Sequence, residues 1–320
     1  MSMARPPSYA PPLAARLPSA PPRLSGEPVA LAGASMGTTW SARLALPPGV
    51  TRQQAQAAIA AALDEVVAQM STWEAGSDIS RFNRAATGWQ ALPEALFHVL
   101  SHALDLADAS GGAYDPTIGA LVDAWGFGAE PRVHEPPAAA AIAAALADCG
   151  HGRVRLDLSS IAKGYGVDRA ALALRALGVT ACLVEVGGEL RAHGVRPDGL
   201  PWRVAVEVPD ASGAHALAVP LRDQSIATSG DYRRYIEQAG RRYAHTLAPR
   251  TGKPLDNDLA SVTVIHPECM LADGLATALG VLGAAAGADY AARHDLAALF
   301  ILRGAAGHEV RATPAFAALL

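Results

Sequence analysis

Ala260-Ser-Val-Thr-Val-Ile265, followed by Leu271-Ala-Asp-Gly-Leu-Ala-Thr-Ala-Leu279, decides how this 320-residue chain folds. The first run is rich in β-branched residues and reads as a strand. It leads into a helix over Leu271–Leu282. Along the rest of the chain strands and helices are mixed without a regular βαβ alternation. That pattern favours an α+β fold over a doubly wound sheet. On the helix, Asp273 and Thr277 lie four residues apart and share one face. A carboxylate and a hydroxyl side by side in an apolar segment are hard oxygen ligands suited to Mg²⁺. Such a pair alone is more often structural, so its weight comes from the other segments.

Outward from this point, Pro28–Leu46 reads as two strands broken by Gly33 and Met36-Gly37. Thr51–Met70 reads as a helix with Ile59, Leu63, Val66, Val67 and Met70 on one stripe. Ser71–Asn83 reads as a polar loop. A second helix is expected over Leu92–Ala109, with Pro93 in its first turn and Leu96, Val99, Leu100, Leu104 and Ala107 on its apolar face. Gly111–Gly128 is glycine-rich and reads as irregular. Glu130–Cys149 holds prolines and then an alanine-rich helix, the expected place for a variable insertion. Val167–Leu177 reads as a third helix closed by Gly178. Leu183–Val186 is a strand running into Gly187-Gly188, and Trp202–Val208 alternates like another. Arg233–Leu247 reads as a hairpin around Ala239-Gly240.

Composition narrows the class. Hydrophobic residues at 51% and charged residues at 18% mark a largely globular chain with a sizeable core. A net charge of −4 gives no basic footprint, so nucleic acid is not an expected partner. Cys149, Cys182 and Cys269 are far apart with no CxxC spacing, which argues against disulfides or zinc and for buried thiols. Met1–Gly26 is rich in Pro, Ala, Ser and Arg and reads as a disordered leader. It has no continuous apolar run, no Cys for a lipid and no Arg-Arg pair. Gly274–Gly287 is too short to span a bilayer and is interrupted by Thr277. The expectation is a soluble, cytoplasmic protein with a single domain over 27–320 and a possible insertion at 130–149.

Five segments are denser in Gly, Asp, Ser, Thr and Lys than packing requires. They are Ser35-Met-Gly-Thr-Thr-Trp40; Met70-Ser-Thr-Trp73 with Ser77–Asn83; Gly112-Ala-Tyr-Asp-Pro-Thr117 with Trp125–Gly128; Asp157-Leu-Ser-Ser-Ile-Ala-Lys-Gly-Tyr-Gly-Val-Asp168; and Thr228-Ser-Gly-Asp-Tyr232 through His245 and Pro249-Arg-Thr-Gly252 to the Asp273/Thr277 helix. Backbone amides at a helix start beside Lys163 make an anion site, although Lys163 could equally be an exposed surface residue. Trp73 on a polar loop could cover core or a flat ring.

In this order and over about Ser35–Gly283, the segments resemble the ApbE family, the FAD:protein FMN transferases. The resemblance implies an ApbE-like fold, T-fold-like with mixed sheets and packed helices. It implies Mg²⁺-dependent transfer of FMN from FAD to a Ser or Thr hydroxyl of a target protein, with release of AMP. The implied acceptors are flavoprotein subunits of quinone reductases or related membrane redox complexes carrying an Asp-x-Ser/Thr-type motif. Family members often work on the periplasmic face of the inner membrane. Met36, Trp73, Ala113, Tyr114, Asp115, Asp157 and Lys163 match positions that hold FAD, and the segment around His245 and Leu247 lies at the same site. Asp273, Thr277 and the main-chain carbonyl of Ser160 match the Mg²⁺ ligands. His245 is the candidate base, its unperturbed pKa being near ~6.5, and Asp273 is the reserve. The family commonly has Tyr or Trp at position 73, and the larger ring here is expected to stack on flavin or adenine. Two other readings use the same residues: a Mg²⁺-dependent FAD pyrophosphatase with water as acceptor, and a non-enzymatic FAD-binding protein.

Overall fold

The computed structural model describes residues 27–129, 135–149, 154–207, 215–230, 235–238, 241–304 and 307–320. The predicted leader Met1–Gly26 lies outside them. Met36 and Gly37, with φ of 53° and 69°, close a tight turn between β1 (Glu27–Ser35) and β2 (Thr38–Leu46). Positive φ at both central residues matches the twist of the flanking strands. Gly33 does not break β1, contrary to expectation. It pairs with Trp40, and a Cβ there would lie 2.7 Å from the indole, so the glycine makes room for that buried ring.

Thr51 caps α1 (Arg52–Met70) in a capping box with Gln54. Ile59, Leu63, Val66 and Met70 are buried as expected, while Val67 is half-buried. The segment read as a polar loop contains α2 (Asp78–Arg84), started by Ser77, whose Oγ accepts from Ser80 N at 3.1 Å. Helix α3 (Glu94–Ala109) buries Leu96, Val99, Ala103 and Leu106, whereas Leu104 is exposed. The glycine-rich stretch is not wholly irregular, since it holds α4 (Gly119–Ala124). The alanine-rich helix is α5 (Ala139–Asp148). Helix α6 (Ala162–Ala176) begins ahead of the expected Val167, which brings Lys163 into its first turn.

Strands β3 (Cys182–Val186), β4 (Glu189–His193), β5 (Trp202–Glu207), β6 (His215–Leu221) and β7 (Ser225–Gly230) follow. The expected hairpin is β8 (Tyr235–Gln238) with β9 (Arg241–Ala244), and its turn Ala239-Gly240 lies outside the described residues. Then come β10 (Leu247–Ala248), β11 (Lys253–Pro254), β12 (Leu259–His266), α7 (Cys269–Arg293), β13 (Ala297–Gly304), β14 (Gly307–Ala312) and α8 (Pro314–Ala317). The main sheet runs β1-β2-β3-β4-β7-β12-β13-β14, and each of these pairings is antiparallel. The α+β expectation holds.

All eight residues of β12 are buried because the sheet is covered on both faces. Leu275 and Leu279 of α7 pack on one face with Val262 and Val264. The β5–β6 hairpin covers the other, placing Trp202, Val219 and Leu221 beside Phe316 of α8. Helix α7 has 25 residues, more than the apolar run suggested, and is long and apolar enough to cross a membrane by length and composition. Its first twelve residues are all buried or partly buried, and it breaks helical geometry at Gly283 (φ 80°). That is the pattern of a core helix.

Candidate active site

The site begins at the turn into α6. Asp157 Oδ1 accepts from Ser159 N at 2.8 Å and from Ser159 Oγ at 2.5 Å, an Asx turn that aims the chain into the helix. Lys163 follows on the first turn. Gly164 then lets α6 touch α7, since a Cβ there would lie 2.3 Å from the Cys269 carbonyl oxygen and 2.9 Å from Asp273 Cβ. Across this contact Gly164 N donates to Asp273 Oδ2 at 3.0 Å. Asp168 accepts from Cys269 N at 3.0 Å and Met270 N at 2.9 Å, which caps α7, and it pairs with Arg191. The start of α7 is therefore fixed by a carboxylate from α6.

Lys163 Nζ lies 2.5 Å from Glu189 Oε1. Glu189 is 3% exposed, and its second oxygen, Oε2, is buried with no hydrogen-bond partner. Burial raises the Asp273 pKa, opposed by Lys163 and the Gly164 N–H. Burial raises Glu189 to about 7, with Lys163 pulling it back and Asp273 pushing it further. For Lys163 burial acts downward, but the Asp273 and Glu189 carboxylates prevail and raise its pKa. One ammonium thus stands between two buried carboxylates, and burial together with the repulsion between them favours a proton on one of the two.

This cluster forms part of the wall of a cavity of about 1170 Å³, and all twelve residues expected at the site line it. Met36 enters from the β1–β2 turn and Trp73, 59% exposed, from the loop after α1. Ala113, Tyr114 and Asp115 enter together after α3. Tyr114 is buried, its backbone N donates to Ser110 Oγ at 3.0 Å, and its hydroxyl oxygen accepts from Ser160 Oγ at 3.1 Å. Burial raises the pKa of that phenol. Asp115 Oδ1 accepts from Thr117 N at 2.8 Å. Thr277 stands one turn beyond Asp273 on α7.

His245 and Leu247 line the cavity from the segment that leads into β10. The Phe127 ring meets His245 edge-on, with centroids 6.4 Å apart. Beneath them Trp125 Nε1 donates to the Gly252 carbonyl at 2.7 Å, and Leu121, Trp125, Phe127, Ala145 and Leu247 form a small core. A Cβ on Gly252 would lie 2.8 Å from Ile142 of α5. The alanine-rich helix thus packs directly under the His245 segment.

Among the described residues lining the cavity, Lys163 is the one Lys or Arg, against seven carboxylates: Glu74, Asp115, Asp157, Glu185, Glu189, Glu207 and Asp273. No group of three or more His, Cys, Asp or Glu among the described residues is arranged to hold a metal. A cation here would therefore rest on mixed oxygen donors, for which Asp273, Thr277 and Ser160 are the candidates on the cavity wall. The cysteines take no part in the cavity. All three are free, and burial raises their pKa, to about 11 for Cys149 and about 12 for Cys182.

The family model of the ApbE family matches residues 36–300. The chain belongs to the ApbE family. The FAD:protein FMN transferase of Vibrio cholerae is 38% identical over 308 residues, covering 91% of this chain and 92% of that protein. The FAD:protein FMN transferase of Haemophilus influenzae is 36% identical over 313 residues, covering 90% of each. The solved flavin transferase ApbE from Vibrio cholerae matches with a TM-score of 0.85 and 37% identity, over 92% of this chain and 100% of that one. The Pseudomonas stutzeri flavinyl transferase ApbE, in its apo form, matches with a TM-score of 0.84 and 38% identity, over 92% and 96%.

In this ApbE chain the sequence reading missed four cavity carboxylates, Glu74, Glu185, Glu189 and Glu207, of which Glu189 is the one paired with Lys163. Gly187-Gly188 reads as an ordinary turn, and the two glycines do take φ of 62° and 109°. The one signal was the pair itself, which positions the first residue of a short strand at a cavity wall. Burial of that carboxylate depends on α6, a partner distant in sequence.

Proposed function

We propose that this protein transfers the FMN half of FAD to a Ser or Thr hydroxyl of an acceptor protein, releasing AMP, with Mg²⁺ as cofactor. The observation that carries the reading is the convergence of Lys163, His245, Asp273 and Thr277 on one cavity large enough for a dinucleotide. The charge balance supports the metal. Among the described lining residues, seven carboxylates against one ammonium would disfavour a pyrophosphate that came without cations. Oxygen donors from Asp273, Thr277 and the Ser160 carbonyl suit a small hard cation. When bound, Mg²⁺ would offset the charge on the pyrophosphate.

The chain's own groups supply the rest. Lys163 Nζ adds a point charge beside the phosphates. A ring nitrogen of His245 takes the proton of the acceptor hydroxyl. The hydroxyl oxygen bonds to the FMN phosphorus, the bond from that phosphorus to the bridging oxygen breaks, and the electron pair leaves with AMP. Met36, Tyr114 and Asp157 hold FAD, and Trp73 at the mouth stacks on a ring and limits access of water. Trp73→Asn should raise FAD hydrolysis and the FAD dissociation constant; no change in either would remove the stacking role. The acceptor class, a redox subunit with an Asp-x-Ser/Thr-type motif, follows from the family resemblance.

The test is intact-protein mass spectrometry of an acceptor peptide bearing that motif, with FAD and Mg²⁺, while AMP is followed in the same tube. A gain of one FMN, with AMP released only when acceptor is present, is the expected result. AMP and free FMN beside unmodified acceptors would overturn transfer in favour of hydrolysis.

A further inference from the structure

We propose that Glu189 is a positioning residue that fixes the Lys163 ammonium in the cavity so that it faces the pyrophosphate of the bound dinucleotide. This rests on the reading above that FAD is the ligand.

The backbone of Lys163 is set by the close contact of α6 with α7, where Gly164 leaves no space for a Cβ. Its side chain is not set that way, because a four-carbon stem has many rotamers. Glu189 supplies the missing restraint, with Oε1 2.5 Å from Nζ. The other nearby carboxylate, Asp273, is engaged through Oδ2 by the Gly164 N–H. Glu189 comes from a separate element, the start of β4. The preceding turn is held by a 2.8 Å hydrogen bond from Gly188 N to Glu185 Oε1. Lysine and its anchor are thus placed by independent parts of the fold.

Packing alone does not account for this carboxylate. Burying a charge is costly unless it is fully paired, and Oε2 has no partner. An ammonium has three donors, and with one on Oε1 two remain for phosphate oxygens. Lys163 is also the one Lys or Arg among the described lining residues, so its aim sets how the basic charge of that wall meets the phosphates.

The experiment is a double-mutant cycle of Glu189→Gln and Lys163→Met. It is read as flavin-fluorescence titrations with FAD and, in parallel, with riboflavin, which has no phosphate. Glu189→Gln should weaken FAD binding on the order of tenfold, the scale of a charge-assisted hydrogen bond, and leave riboflavin binding unchanged. In the Lys163→Met background the same change should have no further effect. An equal loss in both backgrounds, an equal loss for riboflavin, or no loss at all would overturn the inference. A wild-type protein that binds no FAD would overturn the functional reading and this inference with it. If Glu189→Gln does not fold, as read by thermal melting, Glu189→Asp keeps the charge but withdraws it by one methylene. It should give the same contrast between FAD and riboflavin.

Discussion

Replacing His245 with alanine should abolish FMN transfer and leave FAD affinity nearly intact, because on the proposed function the ring acts on the acceptor's proton. Transfer assays beside FAD titrations check this, and equal loss of both would make His245 a binding residue. Glu189 gives a pH expectation. Its pKa is raised from an ordinary 4.5 to about 7, so between these values the folded protein keeps a proton that the unfolded chain releases. The associated stability is complete below about pH 4.5 and is lost as pH rises through 7. Glu189→Gln cannot lose that proton, so denaturant unfolding across this window should show a flatter pH dependence than wild type. At this scale the sequence was legible where residues sit in long polar motifs, and the twelve residues so chosen share one cavity. Glu189 and the helix-capping role of Asp168 were not legible, because each depends on a strand or helix far along the chain.

The contact between α6 and α7 is the element on which the site most depends. Gly164→Ala would drive a Cβ into the Cys269 carbonyl and Asp273 Cβ. The helices would have to separate, at a cost of about 1–3 kcal/mol. The same shift would move Lys163 away from Asp273, so activity should fall by more than the loss of folded protein explains. Unfolding curves beside specific activity separate the two effects. Helices with strong caps or long stripes were read closely, as α1 shows with its start at Thr51. Helix α2 was hidden because it is short and five of its seven residues are polar, with Ile79 and Phe82 too few to show a periodic stripe. The early start of α6 was hidden because Lys163-Gly164-Tyr165-Gly166 has little local helix preference; contact with α7 overrides it.

For the whole molecule, the α+β class followed from the irregular order of elements, but strand order did not. Strand β4 pairs with β7 while the β5–β6 hairpin between them folds onto the opposite face. That arrangement is set by which apolar faces meet, and no local pattern encodes it. Ligands that bind only the folded form should stabilise all of it. Mg²⁺ with FAD should raise Tm more than the sum of the two added singly, because each offsets charge that the other brings. Differential scanning fluorimetry reads this, and strict additivity would remove the shared site.

The imbalance of charge lining the cavity also acts as a filter on what enters it. A bare phosphate ester approaching the seven carboxylates and one ammonium of the described lining meets a repulsive field. The same ester escorted by a divalent ion arrives with much of its charge cancelled. On the proposed function, admission would depend on the company a nucleotide keeps, and the free divalent-ion level around the protein would act as a throttle on its traffic. Product AMP, once parted from its escort, is pushed outward by the same field.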